Sequence, residues 1–208
     1  MPMRAQFQAF INAGGYGKSR YWTQAGWVWR QAGDRRGPEP QPTQRSAPNQ
    51  PQIGVCWYEA VAFCNWLTAQ CGQTIHLPSE AQWERAARHV DGRTYPWGDD
   101  FAATHCNMRD SGVAQPASVG LFPTGNAACA AADLAGNVWE WCATQWRNTY
   151  EAYAQNVDNG LEGRERRVLR GGSWANDQRL VRCANRHRNY PDHRGPNVGF
   201  RVVATMRG

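Results

Sequence analysis

The chain has 208 residues and a formal net charge of +6, with charged side chains at only 19%, 21 glycines and 11 tryptophans. That length buries a sizeable core as one domain spanning 1–208, and the Gly- and Trp-rich mix points to a loop-rich fold built on aromatics. No stretch reaches the ~18 apolar residues of a membrane span, no apolar secretory run opens the chain, and Lys18 is the only lysine, so the basic runs of a nucleic-acid binder are missing. Neither a membrane nor nucleic acid is therefore an expected partner, and a cytoplasmic location is expected. Seven cysteines without a C-x-x-C spacing fit mostly reduced, buried thiols.

Phe7, Phe10 and Ile11 share one helical face, and Gly14-Gly15 stops that helix. Tyr21-Trp22 and Trp27-Val28-Trp29 read as short aromatic segments. Residues 37–52 carry five prolines and several glutamines, which predicts an extended surface loop. From Trp57 to Gln70 the spacing of Ala60, Phe63, Cys64 and Leu67 predicts a helix closed by Gly72. A capping box with Ser79 as N-cap and Gln82 at the third helical position starts another helix, whose buried face is Trp83, Ala86, Ala87 and Val90. Beyond Asp91 helical periodicity stops. Short apolar pieces then alternate with Gly, Pro, Asn and Asp, as turns, irregular loops and short strands do.

Six segments in order carry a family likeness: Val55-Cys56-Trp57-Tyr58-Glu59-Ala60-Val61, Leu77-Pro78-Ser79-Glu80-Ala81-Gln82-Trp83-Glu84, Tyr95-Pro96-Trp97-Gly98-Asp99, Ala135-Gly136-Asn137-Val138-Trp139-Glu140-Trp141, Arg170-Gly171-Gly172-Ser173-Trp174 and Gly199-Phe200-Arg201. Together they resemble the formylglycine-generating enzyme (sulfatase-modifying factor) family, from about residue 5 to 203. The resemblance implies an α+β, C-type-lectin-like fold with two helices, a small twisted antiparallel sheet and much irregular structure. It begins late, because family members usually carry further strands before the position of Phe7. The expectation is that those strands precede this chain in a longer protein or come from elsewhere.

The same resemblance bears on chemistry. The enzyme holds copper(I) with two cysteines, and the matching positions here are Asn176 and approximately Gln178. Amides are hard, weak ligands and do not replace soft thiolates, so neither copper nor that catalysis is expected. A related branch, the iron-dependent sulfoxide synthases, draws histidine ligands from an additional helical domain. The five histidines here show no H-x-x-x-H or H-x-E pattern, so iron is not expected either. Cys64 and Cys183 match a pair that is bridged in the enzyme, which implies proximity. Calcium is the metal the resemblance favours: Asp133, the Gly136 and Val138 carbonyls and the Glu140 carboxylate match one calcium loop. Asn107, the Met108 carbonyl, Asp110 and Gly112 match a second. Hard oxygen donors suit that ion.

Arg167-Val168-Leu169-Arg170-Gly171-Gly172-Ser173-Trp174 and Val198-Gly199-Phe200-Arg201 bracket a segment of mixed chemistry. Its candidate binding residues are Ala175, Asn176, Asp177, Arg179 and Leu180, then, past the inner block Val181-Arg182-Cys183-Ala184, Asn185, His187, Tyr190, His193, Gly195, Pro196 and Asn197. The arrangement resembles the variable proteins of diversity-generating retroelements, in which template adenines are replaced. Changing the first two bases of an Asn AAC codon leaves codons that never encode Trp, Met, Lys, Gln or Glu. All the candidates lie in the permitted set, and Gln178 lies outside it. Tyr, His, Asn and Asp supply adaptable contacts, as in antibody loops. Arginines 182, 186, 188, 194 and 201 are expected to divide between inward bonds to carbonyls of irregular backbone and a basic face that prefers acidic ligands. The expected function is non-catalytic binding of a protein or other ligand through 175–197. The alternatives are an enzyme of the same family and a structural or regulatory domain of a larger signalling protein.

Overall fold

The computed structural model describes residues 1–42 and 47–205. The elements run α1 (Arg4–Asn12), α2 (Gln24–Ala32), α3 (Trp57–Cys71), β1 (Thr74–His76) and α4 (Glu80–Arg88). After a long irregular stretch come β2 (Trp139–Gln145), α5 (Tyr150–Gln155), β3 (Arg167–Arg170), β4 (Arg186–Asn189), β5 (Val198–Phe200) and β6 (Val203–Thr205). The main sheet has the order β4-β3-β2-β5, and β1 pairs separately with β6. The main sheet is mixed rather than purely antiparallel, because β5 runs parallel to β2, pairing Trp139 with Val198 and Trp141 with Phe200.

Local signals explain most helix ends. The Glu59 carboxylate accepts from Cys56 N at 2.8 Å and starts α3, and Gly72, at φ 71°, ends it. The Ser79–Gln82 box forms as the sequence predicts, with Gln82 N donating to Ser79 Oγ at 3.2 Å. His89 then takes φ 54° and turns the chain out of α4, so Val90 is 65% exposed instead of lying on the buried face. The structure has more helix than expected. Trp27-Val28-Trp29 sits inside α2, capped by Thr23, whose Oγ1 accepts from Gly26 N at 3.0 Å. Thr149 caps the short α5 in the same way. The Pro-rich loop is also less exposed than predicted. Its end, Gln50 to Gln52, is buried, with Gln50 Nε2 bonded to Pro116 O and Gln50 O accepting from Arg4 N.

Strand alternation divides the core in two. Trp139, Trp141, Ala143 and Leu169 join an aromatic cluster with Phe7, Phe10, Trp57, Phe63 and Phe200. Phe7 and Phe63 stack at 5.4 Å between centroids, and both meet Phe200 edge-on. Cys142 and Val168, pointing the other way, meet Trp83, Ala87, Leu134 and Cys183 on the α4 side. Phe63→Ala would open a cavity among three phenyl rings and should cost about 3–5 kcal/mol in urea unfolding.

Candidate functional site

On the α4 side of the sheet, Glu140, Arg170 and Arg186 lie in one register row across β2, β3 and β4. Arg170 is fully buried, and a buried charge must be paired. Its Nη2 donates to Glu84 at 2.7 Å and to Cys183 O at 2.8 Å, while Nη1 donates to Ala184 O and Asn185 O at 3.2 and 3.0 Å. One guanidinium thus holds three successive carbonyls of the framed segment. Arg186 makes a two-pronged bond to Glu80, at 2.6 and 2.8 Å, and its guanidinium lies 4.5 Å from the Trp146 ring.

Two further carboxylates anchor the ends of the segment. Glu140 accepts from Trp83 Nε1 at 2.6 Å and from both Arg201 Nε and Nη2. Burial works against the Arg201 charge, but Glu140 holds its pKa above the usual guanidinium value. Glu59 binds Arg194 and the Tyr16 hydroxyl; burial raises the Glu59 pKa, while Arg194 and Tyr16 oppose that rise. Arginines 186, 194 and 201 therefore face inward, as half of the set was expected to, yet toward carboxylates more than carbonyls. The arginines that each hold three carbonyls are Arg170 and Arg167, the latter through Ala143 O, Gly160 O and Glu162 O, with Trp57 at 4.0 Å beneath it. Sequence reading passed over Glu59, Glu80, Glu84 and Glu140 as partners, although Glu59 and Glu140 stand in apolar runs where a charge needs an opposite one.

The framed segment falls into three neighbourhoods. In the first, Ser173 Oγ donates to Asn176 Oδ1 at 2.7 Å and accepts from Asn197 Nδ2 at 3.1 Å, and Asn197 O accepts from Trp139 N. His187 packs at 5.2 Å on the Trp139 ring. Burial lowers the pKa values of His187 and His193, helped at His187 by Arg188 and His193, so this patch presents neutral imidazoles at pH 7. In the second, Asp177 pairs with Arg179 at 2.9 Å, and Asn185 Nδ2 donates to Leu180 O at 3.0 Å. In the third, Tyr190 is 52% exposed, lies 4.7 Å from the Arg166 guanidinium and borders a cleft of about 470 Å³ with Val28, Trp29 and Tyr58. Pro196 is exposed and Ala175 half-buried. Gly195 departs from expectation: it is buried, and its carbonyl accepts from Gly54 N at 3.2 Å.

Gly172 shows how tight the frame is. Its φ is +74°, and an added Cβ would stand 2.8 Å from Leu180 O and 2.9 Å from a Val181 methyl.

The copper positions carry no thiol: Asn176 is tied to Ser173, and Gln178 is exposed. All seven cysteines are free, and the expected closeness of Cys64 to Cys183 is not found. Cys64 lies in the aromatic cluster, whereas Cys183 belongs to the smaller cluster that includes Trp83 and Ala87 of α4, because Cys183 N bonds to Thr94 O and its carbonyl to Arg170. Burial pushes the Cys183 and Cys106 thiols up to about 12, far from a reactive thiolate.

The calcium donor sets do not fit a cation as they are arranged. Arg201 already places a positive charge on both Glu140 oxygens, and the buried Asp133 accepts from Gly120 N at 2.8 Å. Gly136 and Val138, the carbonyl donors of that set, are both buried in the same loop. In the second set Asn107 Oδ1 and Met108 O accept from Ser111 Oγ, Asp110 is exposed, and Gly112 is an αL turn residue.

This architecture and its framed surface define a C-type-lectin-like α+β domain. Residues 3–206 match the family model described as sulfatase-modifying factor enzyme 1-like domain, and the chain belongs to that family. It is 32% identical over 220 residues to hercynine oxygenase of Mycolicibacterium thermoresistibile, covering 96% of this chain and 48% of that protein. It is 35% identical over 175 residues to the formylglycine-generating enzyme of Streptomyces coelicolor, covering 75% of this chain and 53% of that protein. The chain spans about half the length of these curated relatives. Among solved structures, PvdO from Pseudomonas aeruginosa superposes with a TM-score of 0.71 at 25% identity over 90% of this chain and 79% of that one. Treponema denticola variable protein 1 superposes at 0.62 and 20% identity, over 84% and 79%. Among the described residues no helix is long and apolar enough to cross a membrane.

Frame and surface should separate in stability measurements. Arg170→Ala leaves three carbonyls without their donor and takes a buried partner from Glu80 and Glu84, and should cost about 3–5 kcal/mol, while Leu180→Ala and Tyr190→Ala should cost about 1 kcal/mol or less in the same urea titration. Thermal unfolding should be unchanged by EDTA; a calcium-dependent rise in Tm would show that Arg201 yields Glu140 to the ion.

Proposed function

We propose that this chain is a non-catalytic domain that binds a protein or other ligand through the surface of residues 175–197, diversified by a retroelement. One observation carries this reading: the arginines that anchor the segment pair inward, while five of its candidate residues face out. Arg170, Arg186, Arg194 and Val181 are buried or paired inward, whereas Arg179, Leu180, His187, Tyr190 and Pro196 point outward. Substitution at the outward positions leaves the inward ion pairs of Arg170, Arg186 and Arg194 intact. The codon restriction is a separate argument, in which Gln178 alone among 175–180 falls outside the permitted set. Among the described residues no group of three or more His, Cys, Asp or Glu side chains is placed to hold a metal.

A second reading has an observation of its own. Nearly the whole chain aligns with half of a hercynine oxygenase, so the same surface could serve as the substrate-binding part of a longer oxygenase whose metal ligands lie outside this chain. The two part company in the genome and in the tube. Diversification requires a near-copy of the coding segment for 175–197 in the same locus, differing only at adenines. Finding none, with no reverse transcriptase nearby, would remove the retroelement part. Stoichiometric Cu(I) binding, or oxygen-dependent conversion of a Cys-containing sulfatase peptide, would overturn the non-catalytic assignment.

A further inference from the structure

Beside the outward Arg179 lies a hollow of about 340 Å³, lined by Arg88, Arg93, Thr94, Arg179, Arg182 and Asn185, with Ala184. Four guanidiniums share this small wall, and no carboxylate lines it. Three of them are steadied by acidic side chains that stand outside the lining: Arg88 by Glu84 at 2.9 Å, Arg93 by Asp91 at 2.6 Å and Arg179 by Asp177 at 2.9 Å. Arg182 differs. Its Nε donates to Arg179 O at 3.1 Å, and its two terminal nitrogens bond nothing among the described residues. Arg179 commits only Nη2 to Asp177 and keeps the rest of its fork.

Guanidinium forks match the oxygens of a phosphoryl group in pairs, and several of them in one concavity raise the local potential for anions. The volume sits at the small end of ligand pockets. We propose that this hollow binds a diphosphate-bearing small molecule, with Arg179 and Arg182 donating to the phosphoryl oxygens and Arg88 and Arg93 supplying the positive wall. The proposal rests on the reading of 175–197 as a binding face, because Arg179 and Asn185 belong to that face. Arg88, Arg93 and Arg182 belong to the frame. The frame then provides the constant part of the phosphoryl affinity through Arg182 and the positive wall, and residues 179 and 185 modulate it.

Calorimetric titration of the full chain with inorganic pyrophosphate tests this directly. Saturable one-site binding that falls as salt rises is expected, with orthophosphate weaker. Arg182→Ala and Arg93→Ala should each weaken pyrophosphate binding about tenfold. Arg182→Ala should leave Tm unchanged, since Arg182 is exposed, which shows that its loss of binding is not unfolding. Arg36→Ala, an exposed arginine outside the hollow, should bind like the parent. No saturable binding at millimolar pyrophosphate would overturn the proposal. So would equal weakening by Arg36→Ala, which would mark diffuse charge. Because the probe is pyrophosphate, a negative result leaves the binding face standing. Conversely, absence of a template copy removes retroelement diversification without touching the titration.

Discussion

Everything about the framed surface depends on keeping one guanidinium satisfied in a dry place. Arg170 has no access to water, so its charge is tolerated only because Glu84 and Glu80 face it and three carbonyls accept from its two terminal nitrogens. Those carbonyls belong to the irregular chain at 183–185, which has no strand partner there to satisfy them. The need runs both ways: the segment requires the arginine, and the arginine requires the segment. Regular secondary structure is sparse in this molecule, and buried side-chain donors take over part of its role.

The two faces of the sheet divide the work. The aromatic side supplies burial, with stacked and edge-on rings between α1, α3 and β5. The α4 side supplies position, because paired charges have one geometry that satisfies them while hydrocarbon contacts have many. Glu80, Glu84 and Glu140 fix β3, β4 and the start of β6's approach through Arg201. Glu59 does the same for Arg194 from the N-terminus of α3. An indole, Trp83, belongs to both schemes, since it packs in the smaller cluster and donates to Glu140.

The parts of this arrangement that were legible in the sequence are those written in local rules. The helix from Trp57, the Ser79–Gln82 box and the glycine-stopped frame each depend on residues within a few positions of one another. The α2 helix was hidden because the unbroken apolar run Trp27-Val28-Trp29 masks a 3.6-residue period, and its real signal is the Thr23 cap. Val90 was misplaced because periodicity continues past the point where His89 adopts a left-handed φ. The closeness of Cys64 to Cys183 failed for a longer-range reason. Cys183 goes where Arg170 and Thr94 hold its backbone, and no spacing rule encodes that. At the candidate face, the outward positions could be read from chemistry mixed without period. The acidic partners of the framing arginines could not, because ion pairs such as Glu80–Arg186 join residues 106 positions apart.

The three bonds from Arg170 end on main-chain oxygens, which are the same for every amino acid. They are therefore blind to what is substituted at 185 and beyond, but not to how many residues intervene. An inserted or deleted residue between Gly172 and Arg186 would slide the carbonyls off the guanidinium and break the pairing of Arg170 with Arg186 across β3 and β4. On the proposed reading, the repertoire has a fixed loop length, in which shape is conserved by counting and only the lettering changes. An antibody loop, by contrast, explores length as well as composition.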